Sequence, residues 1–194
     1  FGTLVVGNTT TPDVALTGAG KLLDLTNGTF DATSAFSSIA STSSAAGQHG
    51  LKLDNVHGTV AFGSTTINNS GIQGIFIFNS DANVNFGNTV VGTIGAPGSG
   101  GGPGAEGIRF ESNTGGTRTF GTLAISESTA QGITIAGVGI GGGLTVVTGQ
   151  TTITNPGNVG ILIAGAALGH GASFANVTVT GSGSTGVSLS NNLG

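Results

Sequence analysis

GLKLDN at 50–55, GIFIFN at 74–79, GIRFES at 107–112, GITIAG at 132–137, GILIAG at 160–165 and GVSLSN at 186–191 are versions of one hexapeptide, and LLDLTN at 22–27 is a further version without the glycine. Each holds an apolar, variable, apolar triplet: Leu23–Leu25, Leu51–Leu53, Ile75–Ile77, Ile108–Phe110, Ile133–Ile135, Ile161–Ile163 and Val187–Leu189. Their starts are 28, 24, 33, 25, 28 and 26 residues apart. Self-similarity at a period of roughly 20 to 50 residues is the mark of a solenoid or a propeller.

The residues around the triplet suit a strand between two turns. Gly50, Gly74, Gly107, Gly132, Gly160 and Gly186 precede it directly, which suggests positive φ at the entry. Two residues past it stand Asn27, Asn55, Asn79, Ser112, Gly137, Gly165 and Asn191, a set that reads as a recurring left-handed bend, since Asn and Gly tolerate that conformation best. Phe30, Phe62, Phe86, Phe120, Val146 and Phe174 follow 7 to 13 residues after each triplet's start and predict a stacked interior column. A third apolar segment comes next, at Thr65–Asn68, Thr122–Ser126, Thr151–Asn155 and Val177–Thr180.

Alternation is period two, β-branched residues abound, and no segment sustains a 3.6-residue period, so no helices are expected. A β-sandwich fits the composition, yet its strands do not repeat one motif at near-fixed spacing. The prediction is an all-β protein: a parallel β-helix of about seven coils with three short strands each, right-handed by the usual chirality of parallel crossovers. It forms one domain over residues 1–194, open at both ends. APGSGGGPGA at 96–105 fills the longest interval and is expected to project from a corner as a mobile loop. The Ser- and Ala-rich stretch Asp31–Gln48 is expected to bulge likewise.

Composition narrows the function classes. With 39 Gly, 6% charged residues, 10 Phe as the only aromatics and a mean hydropathy of +0.31, the chain is too apolar for disorder. The net charge of −4 and four scattered Lys and Arg leave no basic surface for nucleic acid. The absence of Cys excludes disulfides and thiolate chemistry. The charge-free region from Ser128 to Gly194 is too interrupted by Gly, Thr, Ser and Asn to span a membrane as a helix.

The candidates for acid–base work are Asp13, Asp24, Asp31, Asp54, Asp81, Glu106, Glu111 and Glu127, with His49, His57 and His170. The outward positions of the triplet strand, in coil order, are Asp24, Lys52, Phe76, Arg109, Thr134, Leu162 and Ser188. Asp24 and Lys52 then stack as a surface ion pair. Asp54 and His57 are close enough in sequence to share a hydrogen bond, but no Ser is spaced to complete a triad. His49 and His57 reach one metal only if the coil brings them together. The glycine runs Gly98–Gly104 and Gly139–Gly143, and GAGK at 18–21, lack the remainder of a phosphate loop. Asn8, Asn27, Asn68 and Asn176 fit the glycosylation sequon but occur in an Asn- and Thr-rich chain. Thr66, Asn68, Thr152, Thr154, Thr178 and Thr180 suggest a flat outward row, as in ice-binding solenoids, which fails at Ala124. No catalytic, cofactor-binding or metal-binding residue is therefore assigned, and an enzyme is not expected.

FGTLVV at 1–6 matches FGTLAI at 120–125, so the chain is expected to open mid-coil, and it stops mid-coil after Val187–Leu189. A second copy joined to the end places its first Phe 8 residues, and its first triplet 30 residues, after Val187, which restores an ordinary coil. The expectation is a section of a longer solenoid or a subunit that stacks head to tail. An arbitrary boundary remains the alternative.

The glycine-led triplets, the Asn bends and the Phe column, over the whole chain, resemble the pectate-lyase-like right-handed β-helix superfamily. Within it the composition resembles autotransporters, filamentous-haemagglutinin-like adhesins and other bacterial surface β-strand-repeat proteins. The resemblance implies export to the cell surface and a structural role as a fibre module whose partners are copies of itself or adjacent coils. The alternative it implies is an adhesin segment binding surface glycans or proteins. Polysaccharide lyases of this fold cluster Asp, Arg or Lys on one outer face, and the sequence shows no such cluster.

Overall fold

The computed structural model describes residues 1–7, 10–42, 47–92, 105–137, 144–165 and 171–191. Among them the strands are β1 (Thr3–Leu4), β2 (Ala15–Gly18), β3 (Leu23–Ser41), β4 (Leu51–Asn68), β5 (Ile75–Phe78), β6 (Asn83–Gly92), β7 (Ile108–Glu111), β8 (Thr117–Ser126), β9 (Ile133–Ala136), β10 (Thr145–Thr154), β11 (Ile161–Ala164), β12 (Ala172–Phe174), β13 (Val177–Thr180) and β14 (Val187–Ser190). Every pairing between them is parallel.

The triplets stack in register as the front ladder, in the order β3, β4, β5, β7, β9, β11, β14. Seven rungs enclose about six turns, one fewer than the coil count expected from seven triplets. Leu23, Leu51, Ile75, Ile108, Ile133 and Ile161 form one interior row of this ladder, and all are buried. Each such side chain contributes about 1.5–3 kcal/mol by leaving water. The bend after the triplet is left-handed at all seven predicted positions, with φ between 50° and 59°. Here Asn55 Nδ2 also donates to Asn27 Oδ1 at 2.8 Å, a side-chain ladder parallel to the backbone one.

The entry glycines have a different cause from the one expected. None of the six has positive φ. A Cβ at Gly107 would instead lie 2.7 Å from Gly132 O and 2.5 Å from Ile125 Cγ2, and one at Gly132 would lie 2.7 Å from Gly160 O and 2.6 Å from Ile153 Cγ2. At Gly50, Gly107, Gly132 and Gly160 the entry corner brings the next coil's carbonyl and a third-segment Ile or Val against the backbone, and only glycine leaves room; at Gly186, in the last described coil, an added Cβ would meet nothing within 4 Å.

The second and third strands of each coil are fused. In β6, β8 and β10 the ladder skips a single glycine, Gly87, Gly121 or Gly149, and then resumes. In β3 and β4 all three segments run together as strands of 19 and 18 residues. A one-residue corner is too short to interrupt the axial hydrogen bonding. A second left-handed corner, at Asn69, Glu127, Asn155 and Gly181, ends the third segment with φ between 50° and 67°.

The aromatic column is Phe36, Phe62, Phe86 and Phe120, with ring centroids 5.3, 5.2 and 4.8 Å apart. Phe30 is not part of it: it pairs with Gly58 and meets Phe1 edge-on at 6.4 Å. The displacement comes from a bulge, because Phe30 to Ser34 on β3 faces Gly58 to Val60 on β4. Asp31 closes this bulge by accepting from Thr33 N at 2.9 Å and Thr33 Oγ1 at 2.6 Å, and these bonds hold its carboxyl below the usual pKa. The stretch from Asp31 is thus strand beyond the bulge, up to Ser41. Val146 sits in the neighbouring inward row with Val84 and Arg118, while Thr148 continues the Phe column and pairs with Phe174.

FGTLVV does not occupy the place of FGTLAI. Leu4 pairs with Phe30, and ALTG of β2 is the counterpart of the third segment. Of the loop expected at 96–105, residues 96–104 lie outside the described residues, as do Gly139–Gly143, His170 and Asn8.

Candidate functional site on the outer face

The front ladder holds most of the charge in the molecule. Its first outward column runs Asp24, Lys52, Phe76, Arg109, Thr134, Leu162, Ser188, in the predicted register. The second runs Thr26, Asp54, Phe78, Glu111, Ala136, Ala164, Ser190. A third column flanks them at the entry corner: His49, Gln73, Glu106 and Gln131 each stand directly before an entry glycine, and the backbone bonds Gly50 N to Gln73 O, Gly74 N to Glu106 O and Gly107 N to Gln131 O join successive coils there. Lys21 holds the same place beside Leu22, which donates to Gly50 O at 3.2 Å. Three of the four Lys and Arg and four of the eight Asp and Glu thus share one face. The expectation of scattered cations is overturned, because the coil period aligns residues 24 to 33 apart in the chain.

The cations pair within their own coils. Asp24 and Lys52 are aligned, but Lys21 takes Asp24, and Lys52 Nζ lies 3.0 Å from Asp54 Oδ2. Lys21 and Glu106 stand before the strand, at the entry corner, and reach Asp24 and Arg109 from there. Arg109 lies between two carboxylates: its Nε donates to Glu111 Oε2 at 2.9 Å and its Nη1 to Glu106 Oε1. Glu106, almost wholly buried, also accepts from Gln73 Nε2 at 2.6 Å. Burial opposes the Arg109 charge, but the bonds and charges of Glu111 and Glu106 outweigh it and raise its pKa.

Between Lys52 and Arg109 lies an aromatic platform. The His49 ring stacks on Phe76 at 4.9 Å and 17°, and Phe76 lies beside Phe78 at 5.8 Å and 21°. All three are half-buried. Burial first, and then Lys52 and Lys21, push His49 down to about 4, while Asp24 and Gln73 act the other way. The imidazole is therefore neutral at pH 7 and stacks as an uncharged ring.

The other candidates lie apart from this face. The left-handed bend at Asn55 turns the chain between Asp54 and His57, so these two do not meet; His57 Nδ1 lies 2.6 Å from Asp81 Oδ1 on another side of the coil. For the same reason His49 and His57 do not converge. Asp13 is exposed near β2, and Glu127 is a second-corner residue with φ 54°. Thr134, expected outward, is 2% exposed because it is a short side chain between Arg109 and Leu162. The outward Thr row is broken by Ala40, Val90, Gly92 and Ala124.

Arg118 is wholly buried in the row of Val60, Val84 and Val146. It donates to Ala82 O, to Ser80 O at 3.1 Å and to Asn113 Oδ1 at 3.2 Å. Desolvation pushes its pKa down to about 10, against the pull of Asp81. Its role is to bind carbonyls of a buried corner. Among the described residues no three His, Asp or Glu side chains form a metal-binding group, and no helix is long and apolar enough to cross a membrane.

The residue before four of the six entry glycines, His49, Gln73, Glu106 and Gln131, was the available signal for the third column, hidden because it precedes the apolar pattern that marks the repeat. Comparison with protein-family models, with curated proteins and with solved structures finds no match.

Proposed function

We propose that the chain is a structural rod module of an extracellular bacterial fibre or surface protein, similar to the passenger regions of autotransporters and filamentous-haemagglutinin-like adhesins within the pectate-lyase-like β-helices. The observation that carries this reading is the unbroken axial ladder, with four Phe rings stacked along it and a backbone bond network running coil to coil. Such a ladder resists bending and shear, and each coil depends only on its neighbours. The last described coil supports extension: β13 and β14 pair on one side only, and Val187 and Leu189, which continue interior rows, are 50% and 67% exposed. A further coil there, from a second copy or from the same polypeptide, covers them and satisfies the edge.

Electron microscopy of the purified chain over a range of concentrations tests the self-stacking form. Filaments with an axial repeat of about 4.8 Å are expected to lengthen with concentration, and monodisperse short rods at every concentration contradict it. An antibody raised against the chain is expected to label intact cells of its source; labelling only after permeabilisation contradicts the surface location.

A further inference from the structure

We propose that the outer face of the third segment pairs side by side with the same face of a second copy, so that rods associate laterally. The inference goes beyond the axial stacking proposed above and rests on a different surface. The middle outward column of this face is Ala40, Thr66, Val90, Ala124, Thr152 and Thr178, aligned rung on rung. The outward positions on either side of it hold only Ser, Asn, Thr, Gln and Gly. None of these side chains is charged, whereas the front face carries three of the four Lys and Arg. Covering the third-segment face therefore takes no ion out of water, the cost that opposes burial of the front face. Most of its side chains are short or β-branched, so packing them gives up little rotamer freedom. Val90, at its centre, is 45% exposed, and Ala124 on the next rung is exposed too, which leaves apolar surface that gains by burial.

The axial period selects the partner. The columns repeat at the rung spacing of about 4.8 Å, and a partner matches them along their whole length only if its own side chains recur at that spacing. A second copy does, and one face used by both copies makes a self-complementary contact. Sheets pack face to face about 10 Å apart. Five residues of about 3.3 Å across and six rungs of about 4.8 Å give roughly 400 Å² per copy, or roughly 800 Å² in all. Stable interfaces begin near about 1,200 Å². Two single chains therefore pair weakly, and the contact grows with every coil added to a rod.

The test is small-angle X-ray scattering of the whole chain from about 10 μM to about 1 mM, the range of a weak interface, read for both mass and cross-sectional radius. Axial stacking raises the mass at constant cross-section, whereas lateral pairing raises both. The wild-type cross-section is expected to grow with concentration. Val90→Lys puts an ammonium at the centre of the face and is expected to move that growth to concentrations at least about tenfold higher. Val90→Thr keeps the shape and the neutrality and is expected to retain it. Leu189→Lys is expected to stop growth in length and leave growth in cross-section, so a failure of the axial reading is told apart from a failure of this one. Because Val90 points outward, its variants are expected to unfold at the wild-type temperature; should Val90→Lys not do so, Ala124→Lys on the next rung makes the same test. A wild-type cross-section that stays constant up to about 1 mM overturns the proposal. So does growth that the lysine variants leave unchanged.

Discussion

At Gly87 an added Cβ would lie 1.9 Å from Gly63 O, whereas at Gly121 the nearest atom would be Gly87 O at 3.3 Å. The two glycines share a column, so they separate close approach from composition. Gly87→Ala is expected to destabilise by about 1–3 kcal/mol or more, the range for forced overpacking, and Gly121→Ala by much less; equal losses in urea unfolding contradict this account of the corner. His49 offers a test by pH. Its folded pKa of about 4 lies below the ordinary 6.5, so between these values the unfolded chain binds a proton that the folded chain refuses. Stability is then fully present above pH 6.5 and falls as the pH drops toward 4. Subtracting the curve of His49→Gln from that of the wild type removes the carboxylates' share, and a difference that is flat over this window contradicts a buried neutral ring.

At the scale of the elements, two inward rows of the second segment carry opposite chemistry. Phe86 is fully buried between Phe62 and Phe120, and Phe86→Ala is expected to cost about 3–5 kcal/mol in chemical denaturation. The outward Phe78 has no such enclosure, and Phe78→Ala is expected to cost far less. In the adjoining row Arg118 interrupts valines. Arg118→Met fills the space but strands the carbonyls of Ser80 and Ala82, with an expected loss of about 1–3 kcal/mol; unchanged or increased stability would mean that the buried charge outweighs its bonds. The triplet rows and first-corner bends were legible in the chain because spacing within the hexapeptide is constant. Arg118 and the true start of the Phe column were not. Both depend on how many residues lie between corners, and the bulge at Asp31–Thr33 and the single-glycine corners change that number without altering the apolar pattern.

For the whole molecule, coil stacking turned a charge-poor sequence into one polar face. Charges distant in the chain become rung neighbours once the period is applied, while the ion pairs form within a coil, which the column order does not reveal. Among the described residues β14 is paired on one side, with β11, and Leu189 is exposed. On the function proposed above, this coil serves as a template for another. The direct measurement is thermal unfolding of two copies of the chain joined in tandem, compared with a single copy. Nearest-neighbour stacking predicts one cooperative transition at a higher temperature, because the join completes a coil and buries Val187 and Leu189. Two copies that unfold independently at the temperature of the single chain would contradict it.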